Sequence, residues 1–468
     1  MAAKSGKNLN TPLGKVRRVH FIGIGGAGMS GIAAVLLSLH YEVTGSDLKP
    51  TDVTEGLTQR GAKIHFGHKS SNVVGSDVVV YSAAVPMDNP EIVEASKRSI
   101  PVIPRTEMLA ELMRLKYGIA VSGTHGKTTT TSMIGLVMTE AKLDPTLVIG
   151  GKVDLFKSNA KLGKSTYLVA EACEAFGEFL LLSPMIAIVT NIDDDHLDYY
   201  GSIDKVRDVF VTFANKVPFY GCVILGADDP QVRMIVPQIK RRVMTYGLTK
   251  DAHLSAGKIK LEKSGSVFEV SYKGKRLGMV KLNVPGRFNI QNALAAISVG
   301  LELKISFKSL ASGLARFHGA QRRFEMKGSF KGASVIDDYA HHPTAVSETL
   351  RAAKNFAGSK KLVVVFQPHL FSRTQLLRDK FGKSFGDADE VIIAAIYPSR
   401  EKPIPGVSGM TLVEAIRENN HPNVRYEADK TALLEYLKKT ITEKHVLVTM
   451  GAGDVWKLGN DLVQKHKG

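Results

Sequence analysis

Residues 120 to 133 read AVSGTHGKTTTTSM, an apolar run that ends in Gly126, Lys127 and Thr128. Glycines followed by a lysine and a hydroxyl residue at a strand-to-helix turn suit a nucleoside triphosphate. Backbone amides form a nest for the anion, the lysine reaches the terminal phosphates and the hydroxyl holds Mg2+. The usual spacing, GxxxxGK[ST], wants a glycine at position 121, where this chain has Val121. Gly123 remains at the turn. The substitution therefore alters the loop entrance and leaves the nest, Gly123, Thr124, His125, Gly126, Lys127, Thr128 and Thr129, able to take ATP.

A second glycine run, GIGGAG, places Gly23, Gly25 and Gly28 in the pattern GxGxxG directly after an apolar stretch, and Asp47 ends the next one. Such a turn sets a diphosphate on a helix N-terminus, with a carboxylate near a ribose. Alone it suits a dehydrogenase, or glycines that merely let a helix and a strand pack closely. A hydride-transferring enzyme, however, needs no second phosphate loop, and a simple ATPase needs no first one. Together the two loops imply two nucleotides, one hydrolysed and the other a handle on the substrate.

Mg2+ takes hard oxygen ligands. Candidates are Glu171 in LVAEACE and the group Asn191, Asp195, His196 and Asp198 in TNIDDDHLD, both after strand-like runs. Open α/β sheets place ligands at such strand ends. The competing reading is that the aspartates cap the following helix, a task that His196 does not have. Farther on, DDYAHHP and FQPHLFSRT bring Asp337, Asp338, Tyr339, His341, His342, His369 and Arg373 to comparable ends. Adjacent histidines without cysteines are poorly spaced for zinc.

These motifs need strands to carry them. From Val19 to about Arg114, short Val/Ile-rich runs alternate with helical patterns, which argues for βαβ units around a parallel sheet. A second block opens at YGIAVSG and closes near Arg322. Its later part, from GKIKLEK to LNVPG, alternates in period two and reads as a small antiparallel annex. A third block is again doubly wound. The expected class is α/β in three domains: a basic flexible tail (1–18), a Rossmann-like domain (19–114), a central P-loop ATPase-like parallel sheet with its annex (115–322) and a Rossmann-like C-terminal domain (323–468). A chain of 468 residues is long enough for several cores.

Composition narrows the function classes. The chain carries 62 Lys and Arg against 45 Asp and Glu, a net charge of +17. The excess is scattered, with no aromatic interleaving of the kind a single-strand groove requires; it suits anionic small substrates and argues against nucleic acid. Val19 to Leu39 has transmembrane length, but its glycines are spaced for a strand, a turn and a helix, so no membrane insertion is expected. Cys173 and Cys222 have neither metal nor redox spacing and read as packing residues of a reduced, cytoplasmic protein. The polar, basic start has no apolar core of a signal peptide.

The segments HFIGIGGAGMSG, SGTHGKTTTT, TNIDDDHLDYYG, PGRFNIQNALAA, RRFEMKG, DDYAHHPTAV, FQPHLFSRT and GAGDVW, in this order, resemble the Mur ligases of peptidoglycan synthesis. The resemblance covers essentially the whole chain beyond the tail. It implies that Gly23, Gly25, Gly26, Ala27, Gly28, Met29, Ser30, Asp47, Ser82 and Arg105 hold a UDP-sugar rather than NAD. It implies Lys127 on the ATP phosphates, Thr128 and Glu171 on one Mg2+ and His196 on a second, with Asn289 and Asn292 near the adenine. Arg323 and Asp338 would complete the ATP site from the C-terminal domain. Tyr339, His341, His369 and Arg373 would receive the amino acid. Lys127, Glu171, His196, Arg323 and His341 would be the catalytic set.

The implied reaction joins L-alanine to the carboxylate of UDP-N-acetylmuramate through an acyl phosphate made with ATP. The alternative is the branch of the family that adds a tripeptide to the same sugar, whose first loop resembles GICGTFMG more than GIGGAGMSG; an NAD-dependent oxidoreductase is more distant. The expected assembly is a monomer or a weak dimer. Two departures stand out. EACEAF replaces the EADESD of many relatives, keeping Glu171 and Glu174, and Leu370 stands where many relatives have arginine.

Overall fold

A computed structural model describes residues 13–82, 84–153, 158–399 and 401–464. They fall into two compact units: Met1–Ile192 with Ile203–Met244 and Ser298–Ile305, and Asp193–Ser202 with Thr245–Ile297 and Ser306–Gly468.

The first unit opens with β1 (Arg18–Ile22), β2 (Glu42–Asp47), β3 (Lys63–Phe66), β4 (Val78–Tyr81) and β5 (Val102–Pro104), in the order β3-β2-β1-β4-β5. Every pairing is parallel. Val19, Phe21 and Ile22 are fully buried, as expected of a strand covered on both faces. The run Val19 to Leu39 divides at Gly23, whose φ of +77° ends the strand before the helix Ala27–Ser38. The basic start is anchored from Leu13 onward, contrary to the expected loose tail through residue 18. The Leu13 amide donates to the Tyr41 hydroxyl, and the Arg17 and Arg18 amides donate to Asp77. The rest of that tail, residues 1–12, lies outside the described residues.

Next come β6 (Tyr117–Ser122), β7 (Thr146–Val153), β8 (Ser158–Lys161), β9 (Tyr167–Glu171), β10 (Ile186–Val189), β11 (Cys222–Gly226) and β12 (Val243–Gly247), ordered β12-β11-β10-β6-β9-β7-β8. Central β6 lies parallel between β9 and β10. The connections therefore leave it in both directions, and the crevice beyond its carboxyl end is the switch point where such sheets take ligands. Cys222 is buried in β11 as expected; Cys173 is exposed, so the packing role expected of it does not hold.

In the second unit, β13 (Leu254–Glu262), β14 (Gly265–Tyr272) and β15 (Lys275–Leu282) form the antiparallel annex. Phe268 and Val270 are buried while Val267 and Glu269 are not, which matches the period-two pattern. The C-terminal sheet contains β16 (Glu325–Phe330), β17 (Ala333–Asp338), β18 (Lys361–Phe366), β19 (Glu390–Ile393), β20 (Val424–Tyr426) and β21 (His445–Met450), in the order β16-β17-β21-β18-β19-β20. Only β16 runs antiparallel within it. Alternate residues feed two cores, Ile336, Val364 and Val448 on one face and Val335, Val363 and Leu447 on the other. Three sheets thus realise the three-domain α/β organisation. No helix among the described residues is long and apolar enough to cross a membrane.

Candidate active site

The missing first glycine of the phosphate loop has a structural explanation. Val121 is a fully buried residue of β6, in register with Glu171 of β9 and Ile188 of β10. The chain does not turn there. It turns at Gly123, with φ +121°, where a Cβ would overlap the Thr190 side chain. Gly126, with φ +83°, then caps the helix Lys127–Glu140. Left-handed backbone and close approach both demand glycine, and both demands fall after the strand.

Lys127 is held in this loop by four acceptors. Its ammonium donates to the carbonyls of Gly123 (2.6 Å) and Thr124 (3.1 Å) and to both carboxylate oxygens of Glu174 (2.9 and 3.1 Å). Burial favours the neutral amine, but the adjacent Glu174 charge outweighs it, and the pKa moves up. The lysine is therefore a permanent cation. Thr128 and Thr129, buried in the first helical turn, follow it.

Glu171 ends β9 beside the loop, and its Oε1 accepts the Gly150 amide at 2.7 Å. Asn191, grouped above with the Mg2+ candidates, has another task. Its Oδ1 accepts the His125 amide (2.8 Å), its Nδ2 donates to the His125 carbonyl (3.1 Å) and its own carbonyl accepts the Thr124 amide (3.1 Å). The side chain braces the loop instead of facing a metal. The Asp198 side chain is outside the described residues.

The first glycine loop is braced in the same manner. The Gly23 and Ile24 amides donate to the Ser46 carbonyl, and the Gly25 amide donates to Asp47 Oδ2 at 2.8 Å. Asp47, expected near a ribose, thus has one oxygen committed to the loop. Gly26 precedes the helix that starts at Ala27 and its amide donates to the Gly23 carbonyl. At Gly28 a Cβ would overlap the Arg105 guanidinium, so the third glycine makes room for a cation over the helix start. Ser82 follows β4 next to Gly23. Met29 is 1% exposed and Ser30 4%. The Met29 side chain belongs to the core, which leaves only its backbone for a ligand.

In the second unit Asn289 and Asn292 are buried on the helix Arg287–Glu302 and bonded to each other: Asn289 Nδ2 donates to the Pro285 carbonyl, and Asn292 Nδ2 to Asn289 Oδ1. Asp338, the last residue of β17, accepts the Phe324 and Ala340 amides, both at 2.7 Å. Arg323 lies over the Tyr339 ring, its Cζ 5.0 Å from the centroid. The residues on either side of it, Arg322 and Phe324, have φ of +59° and +49°. Such strain persists only where surroundings over-determine it, and here Arg322 is locked by Asp337 (3.0 Å) and the Gly453 carbonyl (3.1 Å).

The three aspartates of TNIDDDH are each gripped by side chains of the same unit. Asp193 accepts the Thr344 hydroxyl, Asp194 the Lys380 ammonium and Asp195 the Arg373 guanidinium (2.7 Å), while buried His342 lies 3.4 Å from Asp193 and 3.6 Å from Asp194. They do not cap the next helix; His196 stands at its N-cap without a side-chain bond to it. Burial opposes the charge on Asp195, yet Arg373 overrules it and holds the carboxyl well below the usual range. Arg373 also meets His369 Nδ1 at 3.2 Å. The His369 ring stacks on Tyr397, and His341 lies edge-on to both Tyr339 and His369.

His341 is unlike an ordinary histidine. Its Nδ1 is 2.9 Å from the Tyr339 carbonyl, which selects the tautomer with the proton there and leaves Nε2 as a lone-pair acceptor. Burial first, and the charge of Arg373 second, push its pKa well below 6.5. The folded state therefore refuses a proton that the unfolded chain accepts near pH 6.5. Stability must fall as pH drops below that value, by up to about 1.4 kcal/mol per pH unit. Denaturant midpoints at pH 7.5, 6.5 and 5.5 check this: His341→Asn is expected to lose less stability than the parent across the interval, and equal losses would contradict it.

Comparisons with known proteins agree with this geometry. The family description "Mur ligase family, catalytic domain" matches residues 18–117, "Mur ligase middle domain" matches 121–300 and "Mur ligase, glutamate ligase domain" matches 322–453. A UDP-N-acetylmuramate–L-alanine ligase of Trichlorobacter lovleyi is 51% identical over 97% of this chain and 99% of its own length. One of Geobacter sulfurreducens is 51% identical over 97% and 98%. Among solved structures, a UDP-N-acetylmuramate–alanine ligase of Thermotoga maritima superposes with a TM-score of 0.81 at 30% identity, covering 96% of this chain and 99% of its own. A murein peptide ligase of Psychrobacter arcticus, 24% identical with a TM-score of 0.70 over 96% and 98%, shares the fold. Two braced glycine loops, a cationic C-terminal cluster and half of all positions shared along nearly the whole length lead to one conclusion: the chain belongs to the Mur ligase family.

Proposed function

We infer that this protein joins L-alanine to the lactyl carboxylate of UDP-N-acetylmuramate, with conversion of ATP to ADP and phosphate, in the synthesis of peptidoglycan precursors. The observation that carries this reading is the 51% identity, over 97% of the chain, to relatives that bear that activity as their name. The tripeptide-adding alternative rests on solved structures only 24% and 25% identical, half the identity of the L-alanine ligases. An oxidoreductase would leave the Lys127 loop unused.

The chemistry fits the residues. A carboxylate is a poor acyl donor. Its oxygen attacks the γ-phosphorus and ADP leaves; the alanine amine then attacks the acyl carbon, and phosphate leaves from the tetrahedral intermediate. Negative charge gathers on the phosphate through both steps, and Lys127, with the loop amides, stabilises it. Arg323, a planar cation just before β16, is itself suited to a phosphate. The amine must shed a proton as it attacks, and His341 Nε2, neutral and unprotonated, is suited to take it. Thr128 and Glu171 offer hard oxygens, one of them already oriented by the Gly150 amide, and so suit Mg2+, with His196 as a ligand of a second ion. When bound, Mg2+ would neutralise phosphate charge. An ATP- and UDP-sugar-dependent reaction and an unpaired, exposed Cys173 favour the cytoplasm.

Phosphate release from ATP tests the reading. It is expected to need UDP-N-acetylmuramate, L-alanine and Mg2+ together, and Glu171→Ala or His196→Ala should raise the Mg2+ needed for half-maximal rate. Turnover with the tripeptide but not with L-alanine would favour the alternative branch, and an unchanged Mg2+ dependence in both variants would remove them from the metal.

A further inference from the structure

Glu91 is fully buried in the first unit, and its carboxylate is met by polar side chains from four separate segments. Ser46, near the end of β2, donates its hydroxyl to Oε2 (2.6 Å), and Asn72, in the turn Ser70–Val73, donates to Oε1. His68 Nδ1 lies 3.3 Å from Oε2, and His20 Nε2, from β1, lies 3.8 Å from it. We propose that Glu91 is a positioning residue for the first glycine loop: through Ser46 it fixes the end of β2 that holds the loop, and so sets the affinity for the UDP part of the substrate. The proposal rests on the ligase reading above and deepens it with a residue that lies outside both glycine loops.

The chain of contacts from Glu91 to the loop is short. The Ser46 carbonyl accepts the Gly23 (2.9 Å) and Ile24 (3.0 Å) amides, and the next residue, Asp47, accepts the Gly25 amide (2.8 Å). Three consecutive amides of the loop thus hang on two residues of β2. The Ser46 hydroxyl, besides its bond to Glu91, is 3.1 Å from His68 Nδ1. This strand end is therefore held by its side chain as well as by its pairing with β1 and β3. A loop that receives an anion binds it best when its backbone is set before the ligand arrives.

Glu91 is itself fixed. It is the second residue of the helix Pro90–Lys97, whose proline presets the backbone and whose cap, Asn89 Oδ1, accepts the Glu91 amide (2.9 Å). Burial opposes its charge, but His20, Ser46 and Asn72 outweigh burial and hold the pKa down to about 2, so the carboxylate stays ionised through the neutral range. A buried charge contributes little stability that apolar packing of the same volume would not. A carboxylate can, however, accept from several donors at once. Glu91 uses this to hold β1, β2, the Ser70–Val73 turn and its own helix in one arrangement.

The test measures binding of UDP-N-acetylmuramate and, separately, of ATP to the full-length protein by calorimetry. Glu91→Gln keeps the shape and removes the charge; Ser46→Ala keeps the carbonyl that holds Gly23 and Ile24 and removes the hydroxyl link. Each is expected to weaken UDP-N-acetylmuramate by roughly tenfold, the scale of one hydrogen bond to a charged group. ATP affinity should not change, whereas a loss of stability alone would spare both ligands in the folded protein. The double variant should bind the UDP-sugar no more weakly than the weaker single one, because both changes break the same link. If Glu91→Gln does not fold, Ser46→Ala, the smaller change, decides by the same reading. Folded variants that keep the parent's affinity for UDP-N-acetylmuramate, or that lose both ligands alike, overturn the positioning role and leave the ligase reading intact; a parent that binds no UDP-N-acetylmuramate overturns both.

Discussion

Lys127→Ala is expected to lower ATP-dependent ligation by about a thousandfold or more while leaving UDP-N-acetylmuramate binding unchanged. Removal of one preorganised donor to developing charge costs about two to three decades of rate, and Lys127 adds a full charge to its hydrogen bonds. The two glycine loops lie at the ends of different sheets, one after β1 and the other after β6, which is why sugar binding should survive. The structure adds a complication. Glu174 is 3% exposed and its partner is Lys127. Truncation of the lysine takes the ammonium away from a buried carboxylate and so lowers stability. Lys127→Ala should therefore be paired with Lys127→Ala/Glu174→Gln, which restores stability and not catalysis. Calorimetry with the UDP-sugar and phosphate release from ATP check the two halves; loss of sugar binding in a folded double variant would count against separate sites.

Arg373→Ala is the second large effect. A planar guanidinium matches the carboxylate of an amino acid with paired hydrogen bonds, and removal of such a partner costs about 2 to 5 kcal/mol. That corresponds to roughly a thirtyfold or greater rise in the Michaelis constant for L-alanine. The requirement for ATP should change far less. As with Lys127, the arginine has a buried partner, Asp195, which truncation would deprive of its guanidinium. Arg373→Ala/Asp195→Asn separates the contributions: it should recover stability but keep the elevated Michaelis constant. A constant close to the parent's in that double variant means that another group holds the carboxylate.

The glycine loops were legible in the sequence because their demands are local. A left-handed turn at Gly123 or Gly126 is a property of one residue, and the alternation of buried and exposed positions in β14 is a property of consecutive ones. Such signals place Lys127, Glu171 and Asp338 at strand ends before any packing is known. They also made the Val121 anomaly readable once the strand was seen to run through it.

What each polar side chain does there is a different matter, since its partner is distant in the chain. Asn191 and His125 are 66 residues apart, Glu174 and Lys127 are 47 apart, and Arg373 and Asp195 are 178 apart. A carboxylate or amide can ligate a metal, cap a helix or brace a loop with the same atoms, and its sequence neighbourhood is the same in each case. Asn191 reads as a ligand and proves a brace; Asp195 reads as a ligand or a cap and proves the partner of an arginine. Met29 reads as a binding residue because it follows the glycines, but the helix rotates it into the core. The sequence by itself determined the two glycine loops, the three-domain α/β class and the family. Only the tertiary structure decided how the buried charges pair, because burial makes an unpaired charge costly and so selects one partner out of many.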